Sequence, residues 1–303
     1  MKTNGFGRLS FTHLMDVLKR NLLFVSGKGG VGKTVVSQAI ALRLNQTGKR
    51  VLWATFEDPL LPTHELSEIR RGLFHINCEA SASFEEFAAL KIGMAGLAKI
   101  FLKNKVMRYL AKAAPGIHEL VLLGKVWFER NNYDHVVVDM PSTGYGLAMF
   151  QSTQNFSQLF QGGPVHRDAE AMLATFGDPE ATGQLIVSLP EEMPLRESIE
   201  LNQYLCGLFP HNPADFLLNR LFPKPIGLPI KVDSNPDQWT TPLAKDAADY
   251  VVKRATLERF NLRIWEQEKI KYREIAYEPP VQDSSIAPMV EKIARQLEVR
   301  GYL

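Results

Sequence analysis

The chain has 303 residues, 45% of them apolar and 22% charged, with a formal net charge of +2. Those values suit one large globular domain or two small ones, and the near-neutral balance is unlike the clear basic excess of a nucleic-acid binder. Two distant cysteines, Cys78 and Cys206, and seven histidines without ligand-like pairing argue against a disulfide scaffold, a zinc site or a cysteine-held cluster, and fit a reducing cytoplasm. No apolar run reaches the roughly 18 residues of a membrane span, and the first residues lack the continuous apolar core of a leader.

Residues 1–9 carry no pattern. Phe11, Leu14, Met15 and Leu18 recur at helical spacing, so a short helix is expected over 11–19. The apolar run Leu22-Leu23-Phe24-Val25 then enters Ser26-Gly27-Lys28-Gly29-Gly30-Val31-Gly32-Lys33-Thr34, and Val35 to Asn45 reads as a helix. Gly27, Gly32, Lys33 and Thr34 satisfy G-x-x-x-x-G-K-[ST] in the strand–loop–helix context that a P-loop needs. Glycines let successive N–H groups face a phosphate, with the positive end of the helix dipole behind them. Lys33 can reach the β- and γ-phosphates, and the Thr34 hydroxyl can ligate Mg²⁺. Gly27 through Val35, including Gly29, Gly30 and Val31, is therefore the candidate cradle for ATP.

Lys28 is a second lysine that a plain P-loop does not need. Gly-Lys-Gly-Gly-Val-Gly-Lys-Thr resembles the deviant, signature-lysine form of the loop, found in the MinD/ParA, nitrogenase iron protein and ArsA branches. The resemblance implies that Lys28 reaches a partner's nucleotide across a homodimer interface; read by its residue type alone, it is a solvated loop lysine.

After Gly48, Arg50–Thr55 is expected as a buried strand, and the β–loop–α–β order argues for a parallel sheet with helices on both faces. Glu57, Asp58 and Pro59 follow it, at the end of a strand where ligands of open α/β sheets bind. An acid here can position or deprotonate attacking water, or simply form an acidic turn. Asp58-Pro59 is similar to switch I of the ArsA branch, although Leu61 stands where that branch usually has His, with His64 further on.

Leu73–Cys78 is expected as a strand near an edge, and Ser83 with Glu86 as a capping box opening a helix. From Met94 to Ala113, apolar residues interleave with Lys99, Lys103, Lys105, Arg108 and Lys112. This is either a core-covering helix with a solvated basic face or an adaptable surface for a protein partner or hydrophobic client. ArsA-type proteins carry a helical subdomain here, and Pro115-Gly116-Ile117-His118-Glu119-Leu120 resembles a Pro-Gly-x-x-Glu-Leu element that recurs in them.

His135–Asp139 is the strongest strand signal; an apolar strand ending in an acid is a Walker B arrangement, with Asp139 holding Mg²⁺ directly or through water. Asp139-Met140-Pro141-Ser142-Thr143-Gly144-Tyr145-Gly146-Leu147 resembles ArsA switch II, which implies that Gly144 senses the γ-phosphate, with Tyr145 where relatives often carry His. Asn155–Pro179 reads as a second helical or looped insert, and Leu185–Leu189 as a strand. Pro190–Glu197 also resembles the ArsA branch, which implies a loop and helix close to a dimer interface; by residue type, Glu191, Glu192 and Glu197 are a solvated helix start. Asp215–Asn219 is a further strand, with Asn219 either closing a turn or reading the adenine edge, the role that relatives imply. Residues 223–242 read as a proline-rich loop, Leu243–Lys271 as one long helix and Tyr272–Tyr277 as the last strand, with Pro279-Pro280 near the base. Ile286–Leu297 is a final helix, packed on the core or, as in MinD-type tails, directed to a membrane.

These readings combine into one α/β P-loop domain over residues 1–303, mostly parallel, with a small helical subdomain at about 83–130 and 155–180. The ArsA resemblance implies a homodimeric, Mg²⁺-dependent ATPase. In it Lys28, Lys33 and Asp58 would be catalytic, Thr34 and Asp139 would hold the metal, and membranes would be reached only indirectly. The cysteines that relatives use for arsenite, and the C-x-x-C that clamps many targeting-factor dimers, are both missing. Client escort, a MinD/ParA-like positioning switch and a nucleotide-gated adaptor for one fixed partner are the functions left open.

Overall fold

The computed structural model describes residues 17–62, 64–92, 116–159, 162–222, 242–279 and 286–303. The chain enters through one 3-10 turn, Val17–Lys19, followed by β1 (Leu22–Ser26), α1 (Lys33–Gln46) and β2 (Val51–Phe56). An edge hairpin, β3 (Ser67–Arg70) and β4 (Leu73–Cys78), leads into α2 (Ala80–Ile92). Next come α3 (Ile117–Glu129), β5 (His135–Asp139), α4 (Thr143–Leu159), α5 (Gly163–Gly177), β6 (Thr182–Ser188), α6 (Glu192–Leu208) and β7 (Asp215–Leu221). The chain closes with α7 (Pro242–Asn261), α8 (Arg263–Gln267), β8 (Tyr272–Ala276) and α9 (Ala287–Val299).

The eight strands form one sheet in the order β3-β4-β2-β5-β1-β6-β7-β8, parallel except for β3, which runs antiparallel to β4. β1 lies at the centre, between β5 and β6, and all five of its residues are buried. Period-two alternation sorts its side chains between two cores. Leu22 and Phe24 face the layer containing α3 to α6 and Trp265, whereas Leu23 and Val25 face α1 and α9. Helices thus cover both faces, which is why the central strands read as unbroken apolar runs. Phe24, Phe150 and Phe176 meet edge to face, with Phe24 5.1 Å from each of the other two.

β3 was not legible in the sequence because Ser-Glu-Ile-Arg is fully exposed and its polar pattern buries nothing. Its charges suit a strand whose outer edge faces water. The capping box at Ser83 and Glu86 is corrected. α2 opens at Ala80, Ser83 lies inside its first turn, and Glu86 instead bonds Lys125 at 2.6 Å and His64 at 3.0 Å. The helix start is met from elsewhere in the chain: the Glu57 carboxylate accepts the Ala80 N–H at 3.2 Å, satisfying one of the orphan donors there.

The single helix expected over 243–271 is also corrected. It breaks after Asn261, because Leu262 and Trp265 turn into the core and the Trp265 indole donates to the Leu195 carbonyl at 3.1 Å. α9 buries Val290, Ile293, Ala294 and Leu297 beside α1, so the core-packing reading of the C-terminal helix holds. Among the described residues no helix is long and apolar enough to cross a membrane. Met94–Ala113, the loop at 223–241 and most of the expected N-terminal helix lie outside the described residues.

Candidate nucleotide-binding site

The loop between β1 and α1 opens at the carboxyl edge of the sheet, beside the ends of β5, β6 and β7. Two of its glycines are sterically obligatory. Gly27 has φ +146°, and a Cβ there would lie 2.3 Å from the Val187 carbonyl oxygen. Gly32 caps α1 at φ +91°, and a Cβ there would lie 2.6 Å from Asn219 Nδ2. That close approach has a purpose: the Asn219 amide donates to the Val31 carbonyl at 2.9 Å, tying β7 to the loop. Its Oδ1 is buried without a hydrogen-bond partner among the described residues. Gly30 has open space where a side chain would go, and Gly29 faces Ser142 across 4.0 Å.

Lys33 curls back over the loop and donates to the Lys28 carbonyl at 3.0 Å. Burial lowers its pKa, opposed by the charge of Asp139. The Thr34 hydroxyl donates to Asp139 Oδ2 at 2.6 Å, while Asp139 Oδ1 is buried and unpartnered among the described residues. Burial pushes the Asp139 carboxyl up to about 6, against the Thr34 hydrogen bond and the Lys33 charge, with Asp58 adding a smaller push in the same direction. An alcohol and a carboxylate with a spare buried oxygen fit the oxygen-donor demand of Mg²⁺.

Asp58 is half-buried and close enough to Asp139 for their charges to interact. Its backbone is clamped twice by one amide: Asn77 Oδ1 accepts the Asp58 N–H and Asn77 Nδ2 donates to the Asp58 carbonyl, each at 2.9 Å. Asn77 is itself held by Thr55 at 3.1 Å, and Thr55 by His75 at 3.1 Å. Sequence reasoning missed Asn77; the signal was polar His75 and Asn77 alternating inside an otherwise apolar strand. The Asp58 carboxylate also accepts the Leu60 N–H at 2.9 Å, so the acidic-turn geometry is present.

Lys28 Nζ lies 2.5 Å from Glu197 on α6. Glu191 pairs instead with Arg254 at 2.8 Å, and Glu192 with Arg196 one turn on. Gly144 occupies the first turn of α4 with nothing near its missing side chain. Val35 lines a small pocket with Asn219, Arg220, Glu278 and Met289. Next to it a cleft of about 230 Å³ is bounded by Pro190, Arg220, Phe222, Tyr250 and Tyr277. The Phe222 and Tyr277 rings stack there at 4.5 Å. Pro279 is exposed and Pro280 lies outside the described residues. Among the described residues no cluster of three or more His, Cys, Asp or Glu could hold a metal.

Residues 20–162 match the family model of the anion-transporting ATPases. ATPase BagA of Mycobacterium tuberculosis is 30% identical over 211 residues, covering 62% of this chain and 61% of that protein. A sequence from Aquifex aeolicus named as an arsenical pump-driving ATPase is 28% identical over 158 residues, 46% of this chain and 52% of its own length. ATPase GET3 of Podospora anserina is 25% identical over 263 residues, 70% of this chain and 76% of that protein. The mycobacterial match spans only 61% of its relative's length. With the mostly parallel sheet and the P-loop at its carboxyl edge, residues 20–162 are similar to the ArsA-type P-loop ATPases.

Proposed function

We propose that the chain binds Mg·ATP in the β1–α1 loop and hydrolyses it as a homodimer whose closure binds or releases a protein partner. The carrying observation is the contact between Thr34 and Asp139 at the foot of a loop that Lys33 overhangs. Lys33 and the loop amides hold the phosphates, and Asp58 orients the attacking water. Mg²⁺ held by Thr34 and Asp139 would neutralise charge on the phosphate oxygens. Lys28 leaves Glu197 to meet a second copy's nucleotide, Gly144 senses the γ-phosphate, and Asn219 Oδ1 accepts from the adenine amino group. Partner binding is assigned to Met94–Ala113 and to the segments at about 83–130 and 155–180.

Hydrolysis assays on wild type, Lys33→Ala and Asp58→Asn test the chemistry. Both variants should lose turnover, with Asp58→Asn still binding ATP. Robust hydrolysis by Asp58→Asn would sink its role. The same variant, loaded with Mg·ATP and used to capture proteins from native cytosol, separates the partner classes. Many proteins sharing an apolar helix indicate a client escort, whereas one stoichiometric protein indicates a dedicated switch.

A further inference from the structure

Glu57, the residue immediately before Asp58, has φ +48°, a left-handed conformation that non-glycine residues adopt uncommonly. Such outliers persist only where their surroundings over-determine them, and they concentrate at functional sites. Here the surroundings are visible. The Glu57 N–H donates to the Cys78 carbonyl at 3.0 Å. Its carboxylate accepts the Ala80 N–H at the start of α2 and lies 3.0 Å from His118 Nε2, in the first turn of α3. One carboxylate therefore ties the starts of α2 and α3 to the residue next to Asp58.

We propose that Glu57 and His118 are a positioning pair: His118 on α3 holds the Glu57 carboxylate and thereby sets the backbone from which Asp58 presents its own. The inference rests on the reading of Asp58 as the water-positioning residue. Neither Glu57 nor His118 takes part in the contacts among the P-loop, Thr34 and Asp139. The strained backbone supplies the lever. Without the imidazole, Glu57 keeps, among the described residues, only the α2 amide for its carboxylate, and the turn can relax toward ordinary φ. A displacement of the first turn of α3 would reach the residue before Asp58 through the His118–Glu57 contact.

Steady-state ATP hydrolysis and ATP affinity are measured for wild type, His118→Ala, His118→Gln, Glu57→Gln, the double Glu57→Gln/His118→Ala and Asp58→Asn. Rates are taken per folded, nucleotide-binding molecule, with thermal melts alongside. A small displacement of a positioned group costs up to about a hundredfold in rate. His118→Ala should therefore lower kcat about tenfold while KM for ATP stays within about twofold. His118→Gln, which keeps a side-chain N–H donor, should recover most of the loss. The double variant should be no slower than the slower single one, because both remove the same contact. An unchanged kcat in His118→Ala beside an inactive Asp58→Asn overturns the pair and leaves the Asp58 reading standing. So does a loss of kcat that His118→Gln fails to recover. An active Asp58→Asn enzyme overturns the Asp58 reading and the pair with it.

Discussion

Lys28 Nζ and Glu197 Oε1 are 2.5 Å apart, so the second lysine of the P-loop is already paired within its own chain. Both side chains are about one-third exposed, which places the pair near the weak end of ion-pair energies, about 1 kcal/mol or less. A lysine bound this way is restrained but not locked. Reaching a second copy costs it one modest contact.

Replacing Glu197 with Gln should therefore release Lys28 and favour association. The ATP-dependent dimer constant should rise by up to about thirtyfold, the equivalent of about 1 kcal/mol for the contact released in each copy. Sedimentation with and without ATP reads this directly. A weaker dimer would mean that Glu197 supports the interface instead of competing with it.

Gly32→Ala should be far more damaging than a glycine-to-alanine change in a loop. The new Cβ meets Asn219 Nδ2 at 2.6 Å and must adopt φ +91°. The left-handed backbone alone costs about 1–2 kcal/mol, and the clash displaces the amide that bonds the Val31 carbonyl. Nucleotide affinity, read by titration with a fluorescent ATP analogue, should fall at least about tenfold. Adding Asn219→Ala should make the two losses less than additive, because the colliding atom is gone.

Asp139→Asn should stabilise the nucleotide-free protein at pH 8 while abolishing hydrolysis. The carboxyl titrates near 6 in the fold against an ordinary value of 3.8. A carboxyl raised in this way favours the fold in its protonated form. That contribution is complete below about pH 4 and is lost as pH rises through 6. Above that, the buried carboxylate costs about 3 kcal/mol, which the neutral isostere removes while still accepting from Thr34. Thermal melts without Mg²⁺ should show the variant ahead at pH 8 and level with wild type near pH 4.

His75 sets a second pH dependence, of opposite sign. Burial lowers its pKa below the ordinary 6.5, more than the Asp58 charge raises it. The unfolded chain thus takes up the proton first, so the contribution of His75 is complete above about pH 6.5 and is lost as pH falls below it. In His75→Gln, which keeps a partner for Thr55, the fall in melting temperature from pH 7 to pH 5 should become shallower. An unaltered slope would place the acid sensitivity elsewhere.

Local pattern alone determined the framework. A strand, a glycine loop and a helix in contiguous sequence, and a second apolar strand ending in Asp139, are legible because backbone geometry and period-two burial act over a few residues. The alternation of Leu22 and Phe24 against Leu23 and Val25 likewise encodes a strand buried on both faces. What the tertiary structure decided are contacts between residues far apart in sequence. Glu197 reaches Lys28 across 169 positions, and Asn219 reaches Val31 across 188. The helix α2 opened by Glu57 and the break before Trp265 belong to the same class. In each case a local signal was absent or misleading, because the partner that satisfies the hydrogen bond or covers the side chain arrives from another element. The sequence names the groups that could hold a nucleotide, but only the packed sheet and helices show which of them already hold one another.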